Sequence, residues 1–157
     1  TDDSVYVYLR KKQFPYTLMD SAKGLINRAT LKGDFLFNNI KSGSYYIVVK
    51  GENFIETWSR LPVEVIRAEK FKYNFTSSKE QAYGNNLHLI KGKYCVYSGD
   101  VDQSGAIELY DMVNVVNDSK NFETGLNTDL NGDGVIDLID IALASNNTSN
   151  FILSITP

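Results

Sequence analysis

Residues 129–140 read DLNGDGVIDLID. Four aspartates and an asparagine crowd into this short stretch. It could serve as a solvated acidic turn, a cluster of catalytic carboxylates or a cage for a cation. A second copy helps to decide. The segment GDVDQSGAIELYDMVNVVNDSKNF (99–122) aligns without gaps on TDLNGDGVIDLIDIALASNNTSNF (128–151), an offset of 29 residues. Asp100 falls on Asp129, Gly105 on Gly134, Asp111 on Asp140 and Phe122 on Phe151. Repeats of this length mark duplicated supersecondary units, so whatever the acidic stretch does is done twice.

Counted from the first aspartate, the first unit places Asp100, Asp102 and Ser104 at positions 1, 3 and 5, with Glu108 at 9 and Asp111 at 12. The second places Asp129, Asn131, Asp133, Asp137 and Asp140 at the same positions. This is the ligand spacing of an EF-hand calcium loop, with Asp in place of the usual Glu at position 12. Alternate residues of a tightly turning loop point at one centre. Position 6 (Gly105, Gly134) has to bend sharply, often at positive φ, which glycine does cheaply. Position 7 (Ala106, Val135) offers only its backbone carbonyl, so its side chain is free to be apolar. Position 8 (Ile107, Ile136) is expected to pack inward and to pair the two loops through a short strand contact. Two matches in register are a specific signal against the solvated turn. Converging ionised carboxylates repel one another unless a cation lies between them, which argues against catalytic use. Hard oxygen ligands in this number suit Ca²⁺ better than Mg²⁺, and no His or Cys joins the set to favour a transition metal. Two Ca²⁺ ions are expected.

A helix is predicted from position 9 of each loop onward. Leu109, Met112, Val113 and Val116 fall at i, i+3, i+4 and i+7, and Leu138, Ile141 and Ala142 repeat the pattern. The segment before the first loop, GKYCVYSG, reads as strand, so each unit is a loop followed by one helix with none entering it.

Residues 4 to about 97 follow another grammar. SVYVYLRK alternates at period two, and GDFLFNNI, GSYYIVVKG, FIETWSRLPVEVI, EKFKYNFTSS and NNLHLIKGKYCVYSG follow as short runs broken by Gly, Asn, Ser and Pro. That pattern predicts an antiparallel β-sandwich. Trp58 reads as a buried aromatic or as a stacking platform for a ligand, and His88 is expected at an exposed strand position. Cys95, the single cysteine, excludes an internal disulfide and reads as a small buried hydrophobe. A net charge of −3 provides no basic footprint for nucleic acid or an anionic membrane. No run of about 18 apolar residues exists for a membrane span. A secreted protein of this sequence is expected to have lost its leader already.

The duplicated loop–helix units resemble a dockerin domain, the calcium-dependent module that docks onto cohesin domains and attaches secreted proteins to scaffolds or cell surfaces. The resemblance covers 98–152, with 153–157 as a tail. It implies one Ca²⁺ held by Asp100, Asp102, Ser104, the Ala106 carbonyl, Glu108 and Asp111. A second would be held by Asp129, Asn131, Asp133, the Val135 carbonyl, Asp137 and Asp140. Partner contacts in that family lie at loop positions 10 and 11, here Leu109, Tyr110, Leu138 and Ile139. These apolar pairs are more like the type that anchors scaffolds to cell surfaces than the Ser-Thr pairs of cellulosomal enzymes. Residues 1–97, through Gly33, Phe35, Phe37, Ile40, Gly43, Tyr45, Ile47 and Val49, resemble carboxypeptidase-regulatory-like (transthyretin-like) sandwiches. Joined to the repeat, they resemble an X-module–dockerin pair.

The resemblance implies a non-catalytic extracellular attachment module with a cohesin-like partner. A second reading is a Ca²⁺-stiffened subunit of an extracellular fibre or surface layer, bound to neighbouring copies of itself. In that reading the N-terminal strand or the apolar tail NFILSITP donates a strand to a neighbour's sheet edge; the alternative is that the tail packs back on its own chain. Asn74, Asn117, Asn146 and Asn147 open Asn-x-Ser/Thr sequons and are candidate glycosylation sites, although Asn117 and Asn146 also suit helix C-caps.

Overall fold

The computed structural model describes residues 2–121 and 123–157, so Phe122 lies outside it. The period-two alternation at the N-terminus becomes β1 (Asp3–Lys11), which turns Val5, Val7 and Leu9 into a buried core and leaves Tyr6, Tyr8 and Arg10 on the other face. Strand β1 is flanked by β2 (Leu18–Ile26) and β3 (Gly43–Lys50), both antiparallel to it. Leu9 faces Asp20 on one side and Ile47 on the other. Two short strands, β4 (Thr57–Trp58) and β5 (Val63–Val65), both pair with β3 and complete a five-stranded sheet. The N-terminal segment is therefore an inner strand of its own sheet and presents no free edge for donation.

The expected second layer is present as packing but not as strands. Segments 33–40 and 71–75 lay Phe35, Phe37, Ile40, Phe71, Tyr73 and Phe75 across the Val5–Val7–Leu9 face, without forming a regular ladder. The aromatic side chains fulfil the sandwich pattern while the backbone amides are served elsewhere. Asn39 N–H donates to the Asp20 carboxylate, and Thr76 N–H to the Asn74 side chain. The chain is thus mainly β with two helices, consistent with a β-sandwich whose second face is irregular. Gly33 explains one position of the aromatic signature: a Cβ there would lie 2.6 Å from the Leu25 carbonyl oxygen and 3.0 Å from the Phe35 ring. Backbone cannot yield as a side-chain tip can. Gly33→Ala is expected to destabilise the sheet half by roughly 1–3 kcal/mol, read as a lowered urea midpoint at unchanged slope.

On the other face of the sheet, Tyr46 and Val48 of β3 pack with Trp58 of β4, joined by Tyr8, Tyr16 and Tyr83. Trp58 is buried, with its indole N–H donating to Glu56 and the Arg10 guanidinium 5.5 Å from its ring. It is a packed aromatic, not a platform. A hairpin of β6 (His88–Ile90) and β7 (Lys93–Cys95) leads to the repeat. His88 is half-buried rather than exposed: it stacks on Tyr97 at 4.4 Å, and burial lowers its pKa. Cys95 is half-buried rather than fully buried, and burial likewise pushes its thiol up.

Both predicted helices form, as α1 (Leu109–Lys120) and α2 (Leu138–Ser149). Their buried faces match the predicted ones only in part: Met112 and Ile141 pack against the core as expected, but the most buried positions are others. Asp111 and Val115 face inward from α1, and Asp140, Ala144 and Asn147 from α2. They close a small core with Val101, Leu130 and Ile136. Asp111 and Asp140 must reach back into their loops, and that requirement sets the rotation of each helix. Two residues earlier is roughly 200° around a helix, so Leu109 and Leu138 point to solvent. Val113 and Ala142 are exposed as well.

Ile107 and Ile136 are buried as expected, but the Ile107 N–H donates to Ile152 O instead of reaching the other loop. The tail has taken that place. Ala106 bridges Leu153, and Ser154 N–H donates to Gly105 O. Ser154 Oγ and Leu153 O then bond Glu56 O and the Asn86 side chain in the sheet half. The tail packs back on its own chain. Among the described residues no helix is long and apolar enough to cross a membrane.

Candidate metal centre

Each acidic loop is wound on its own side chains. In the first, Asp100 Oδ2 accepts Gly105 N–H at 3.1 Å, and Asp102 Oδ1 accepts Ser104 N–H at 3.0 Å. Asp111 Oδ1 accepts the Val101 and Asp102 amides at 2.8 and 3.2 Å, and its Oδ2 accepts Glu108 N–H at 2.9 Å. The second loop repeats this frame. Asp129 Oδ2 accepts Gly134 N–H at 2.8 Å, Asn131 Oδ1 accepts Asp133 N–H at 2.7 Å, and Asp133 Oδ1 accepts Val135 N–H at 2.9 Å. Asp140 takes the Leu130, Asn131 and Asp137 amides at 2.8, 3.1 and 2.9 Å. Gly105 (φ 88°) and Gly134 (φ 95°) adopt the left-handed bend expected at position 6. Position 4 is left-handed too, at Gln103 (φ 60°) and Gly132 (φ 70°).

The carboxylates of Asp100, Asp102 and Asp111 each offer an oxygen within 4.8 Å of the others. Asp100 is 1% exposed, and its Oδ1 is buried with no hydrogen-bond partner. Burial, then the nearby Asp111 and Asp102 charges, push its pKa up to about 6. A buried carboxylate oxygen without a donor is costly, and these three carboxylates could together hold a cation. Ser104 Oγ is turned onto the Ala106 carbonyl at 3.2 Å. Glu108 stands at the N-cap of α1, outside the three-carboxylate cluster. The second loop does not gather three carboxylates within that distance among the described residues. Its position 3 is neutral, and Asn131 Nδ2 donates to Asp133 Oδ2 at 3.0 Å. Asp137 caps α2, accepting Ile139 N–H at 2.7 Å.

At loop positions 10 and 11, Leu109 (62% exposed), Tyr110 (60%), Leu138 (79%) and Ile139 (54%) open the first turns of the two helices. Of the sequon asparagines, Asn74 is exposed, whereas Asn147 is buried and donates to Ser98 O at 2.7 Å, which leaves no room for a glycan. Asn117 and Asn146 lie inside the helices; Asn121 and Asn150 are the C-caps.

Three side chains of the site could not be anticipated. Arg28 donates to the carbonyls of Gly132 and Asn131, Asn53 to Asp129 O, and Asn127 to Val101 O. Arg28 and Asn53 lie 75 or more residues from their partners, and no local pattern marks them.

No family model and no curated protein matches this chain. Its fold is similar to chains in two crystal structures of type II cohesin–X-dockerin complexes from Acetivibrio cellulolyticus. One is an N-terminal interface mutant, at 17% identity and a TM-score of 0.54. The other is a C-terminal interface mutant, at 18% identity and a TM-score of 0.54. Each match spans 95% of this chain and 85% of the other.

Proposed function

We propose that this chain is a non-catalytic, extracellular assembly module in which two Ca²⁺ ions shape a dockerin-like docking face for a cohesin-like partner. The observation that carries the proposal is the duplicated side-chain frame of the two loops, with the unpartnered buried oxygen of Asp100 at its centre. Asp100 winds its loop with Oδ2 and leaves Oδ1 unpartnered, whereas Asp129 spends Oδ1 on the Gly132 and Asp133 amides and Oδ2 on the Gly134 amide. Ca²⁺ is bound by carboxylate and carbonyl oxygens in a flexible geometry. Asp111 and Asp140 join each loop to its helix, so ordering the loop orients the helix. The likeness to chains of cohesin–dockerin complexes extends over 95% of the chain, and so takes in the loop–helix half as well as the sheet. Strand β1 and residues 152–154, the segments that could donate a strand, are paired within the chain, which supports docking over strand exchange.

The docking face would be Leu109, Tyr110, Leu138 and Ile139, apolar residues that their own fold leaves in water. Replacing Leu109 and Leu138 by Arg removes two central apolar anchors and adds charge to a desolvated contact. The double variant is expected to bind a type II cohesin about a hundredfold or more weakly, with an unchanged melting temperature and calcium titration. Surface plasmon resonance in Ca²⁺ and in EDTA measures this. Undiminished binding by the variant removes this face from the proposal. Binding to a dockerin in place of a cohesin would reverse the role of the chain.

A further inference from the structure

The two loops differ at position 4. In the first, Gln103 stands there and its Nε2 donates to the Asp100 carbonyl at 2.7 Å, so the loop closes on itself. In the second, position 4 is Gly132, which has no side chain to do this. The equivalent carbonyl, Asp129 O, accepts from Asn53 Nδ2 at 3.0 Å instead, a residue of the sheet half. The place of the missing side chain is bordered by the sheet half as well. A Cβ on Gly132 would lie 3.9 Å from an Arg28 guanidinium nitrogen and 4.0 Å from Asp3 Oδ1. That guanidinium donates to the carbonyls of Gly132 and Asn131. Arg28 is itself held, its backbone N–H donating to Asp2 Oδ1 at 3.1 Å, beside Asn27, whose Nδ2 reaches the same oxygen at 3.3 Å.

We propose that the sheet half completes the second metal loop, Asn53 holding the position-1 carbonyl that the first loop secures with its own Gln103, and Arg28 holding the position-3 and position-4 carbonyls. Cation affinity at loop 2 then depends on the Arg28 and Asn53 side chains, and affinity at loop 1 does not depend on them. This rests on the calcium reading above. Two effects of Arg28 oppose each other. Its charge beside an acidic loop repels a cation, while its hydrogen bonds hold the left-handed bend at Gly132 and keep Asp129 and Asp133 converged. The structure favours positioning, because both donors are spent on carbonyls and none on the carboxylates that would hold the ion. Arg28 and Asn53 are positioning residues in this account.

Calcium titration followed by NMR separates the loops, since the Gly105 and Gly134 amides donate to Asp100 and Asp129 and each reports its own loop. For Arg28→Met with Asn53→Ala, the loop 2 dissociation constant is expected to rise about tenfold for the hydrogen bonds lost, with loop 1 within twofold. Amide hydrogen exchange across 129–134 in EDTA should quicken as well. Gly132→Gln in the Asn53→Ala background is expected to restore loop 2 affinity, because Gln103 makes the same bond at the same left-handed position in loop 1. Arg28→Met alone, a change at an exposed side chain, applies if the double variant disturbs the sheet. Unchanged or tightened binding at loop 2, equal weakening of both loops, or failure of the Gly132→Gln rescue overturns the proposal. If the unaltered chain shows no response to Ca²⁺, the calcium reading itself falls, and this proposal with it.

Discussion

Chelation with EDTA is expected to lower the melting temperature of this chain by at least about 15 °C at pH 7 relative to millimolar Ca²⁺. A ligand that binds only the folded state stabilises it by about 4 kcal/mol at a thousand times its dissociation constant. Two sites of micromolar affinity therefore add on the order of 8 kcal/mol, and each kcal/mol moves a domain of this size by about 2–4 °C. The loss should concentrate in residues 99–152, where the loops supply most of what the small Val101–Val115–Ile136 core lacks. The pH dependence has a definite sign. Without calcium, the Asp100 carboxyl is held up to about 6, mainly by burial, so the folded chain prefers it protonated. Its contribution to apo stability is fully present below about 3.8 and is lost as the pH rises through about 6. The calcium form needs the same group ionised. The gap between melts in Ca²⁺ and in EDTA should therefore widen from pH 5 to pH 7. A melting temperature indifferent to EDTA at pH 7 removes calcium from the proposal.

What could be read along the chain was whatever the chain repeats or alternates. The left-handed bend at Gly105 and Gly134, the loop-then-helix order and the inward face of β1 are local consequences of spacing, and they appear as expected. The helix faces were read only in part, with Met112 and Ile141 packing inward as expected, because hydrophobic periodicity assumes that apolar residues set the rotation. Here two buried aspartates set it, and Leu109 and Leu138 are turned out as a result. Extended aromatic segments read as strands, yet 33–40 and 71–75 pack as a layer without a ladder, since Phe and Tyr at period two satisfy side-chain burial whichever groups serve the backbone. The largest omission is long-range. Arg28, Asn53 and Ser154 bond across 76 to 104 residues, and nothing near them in sequence distinguishes them from surface polar residues.

Asp111→Ala and Asp140→Ala should each destabilise the loop–helix half by about 4 kcal/mol even in EDTA, because each strands three backbone amides. This separates structure from metal binding within one cluster. Asp111 is fully buried and accepts from Val101, Asp102 and Glu108; Asp140 does the same for Leu130, Asn131 and Asp137. Each joins the start of its loop to the first turn of its helix, so its loss frees both ends. Asp102 gives a contrast: it is exposed and accepts one amide, from Ser104. Asp102→Ala is expected to weaken calcium binding while leaving the urea midpoint in EDTA within roughly 0.5–1 kcal/mol of the unaltered chain. Urea titrations of the three variants, with and without Ca²⁺, discriminate the roles. If Asp111→Ala in EDTA is as stable as the unaltered chain, then position 12 is a ligand and nothing more. The rotation of α1 that exposes Leu109 and Tyr110 would then have to come from the calcium ion and not from the aspartate. If the expected loss is found, the docking face is already turned outward before calcium arrives, and the ion's part is to hold it rigid.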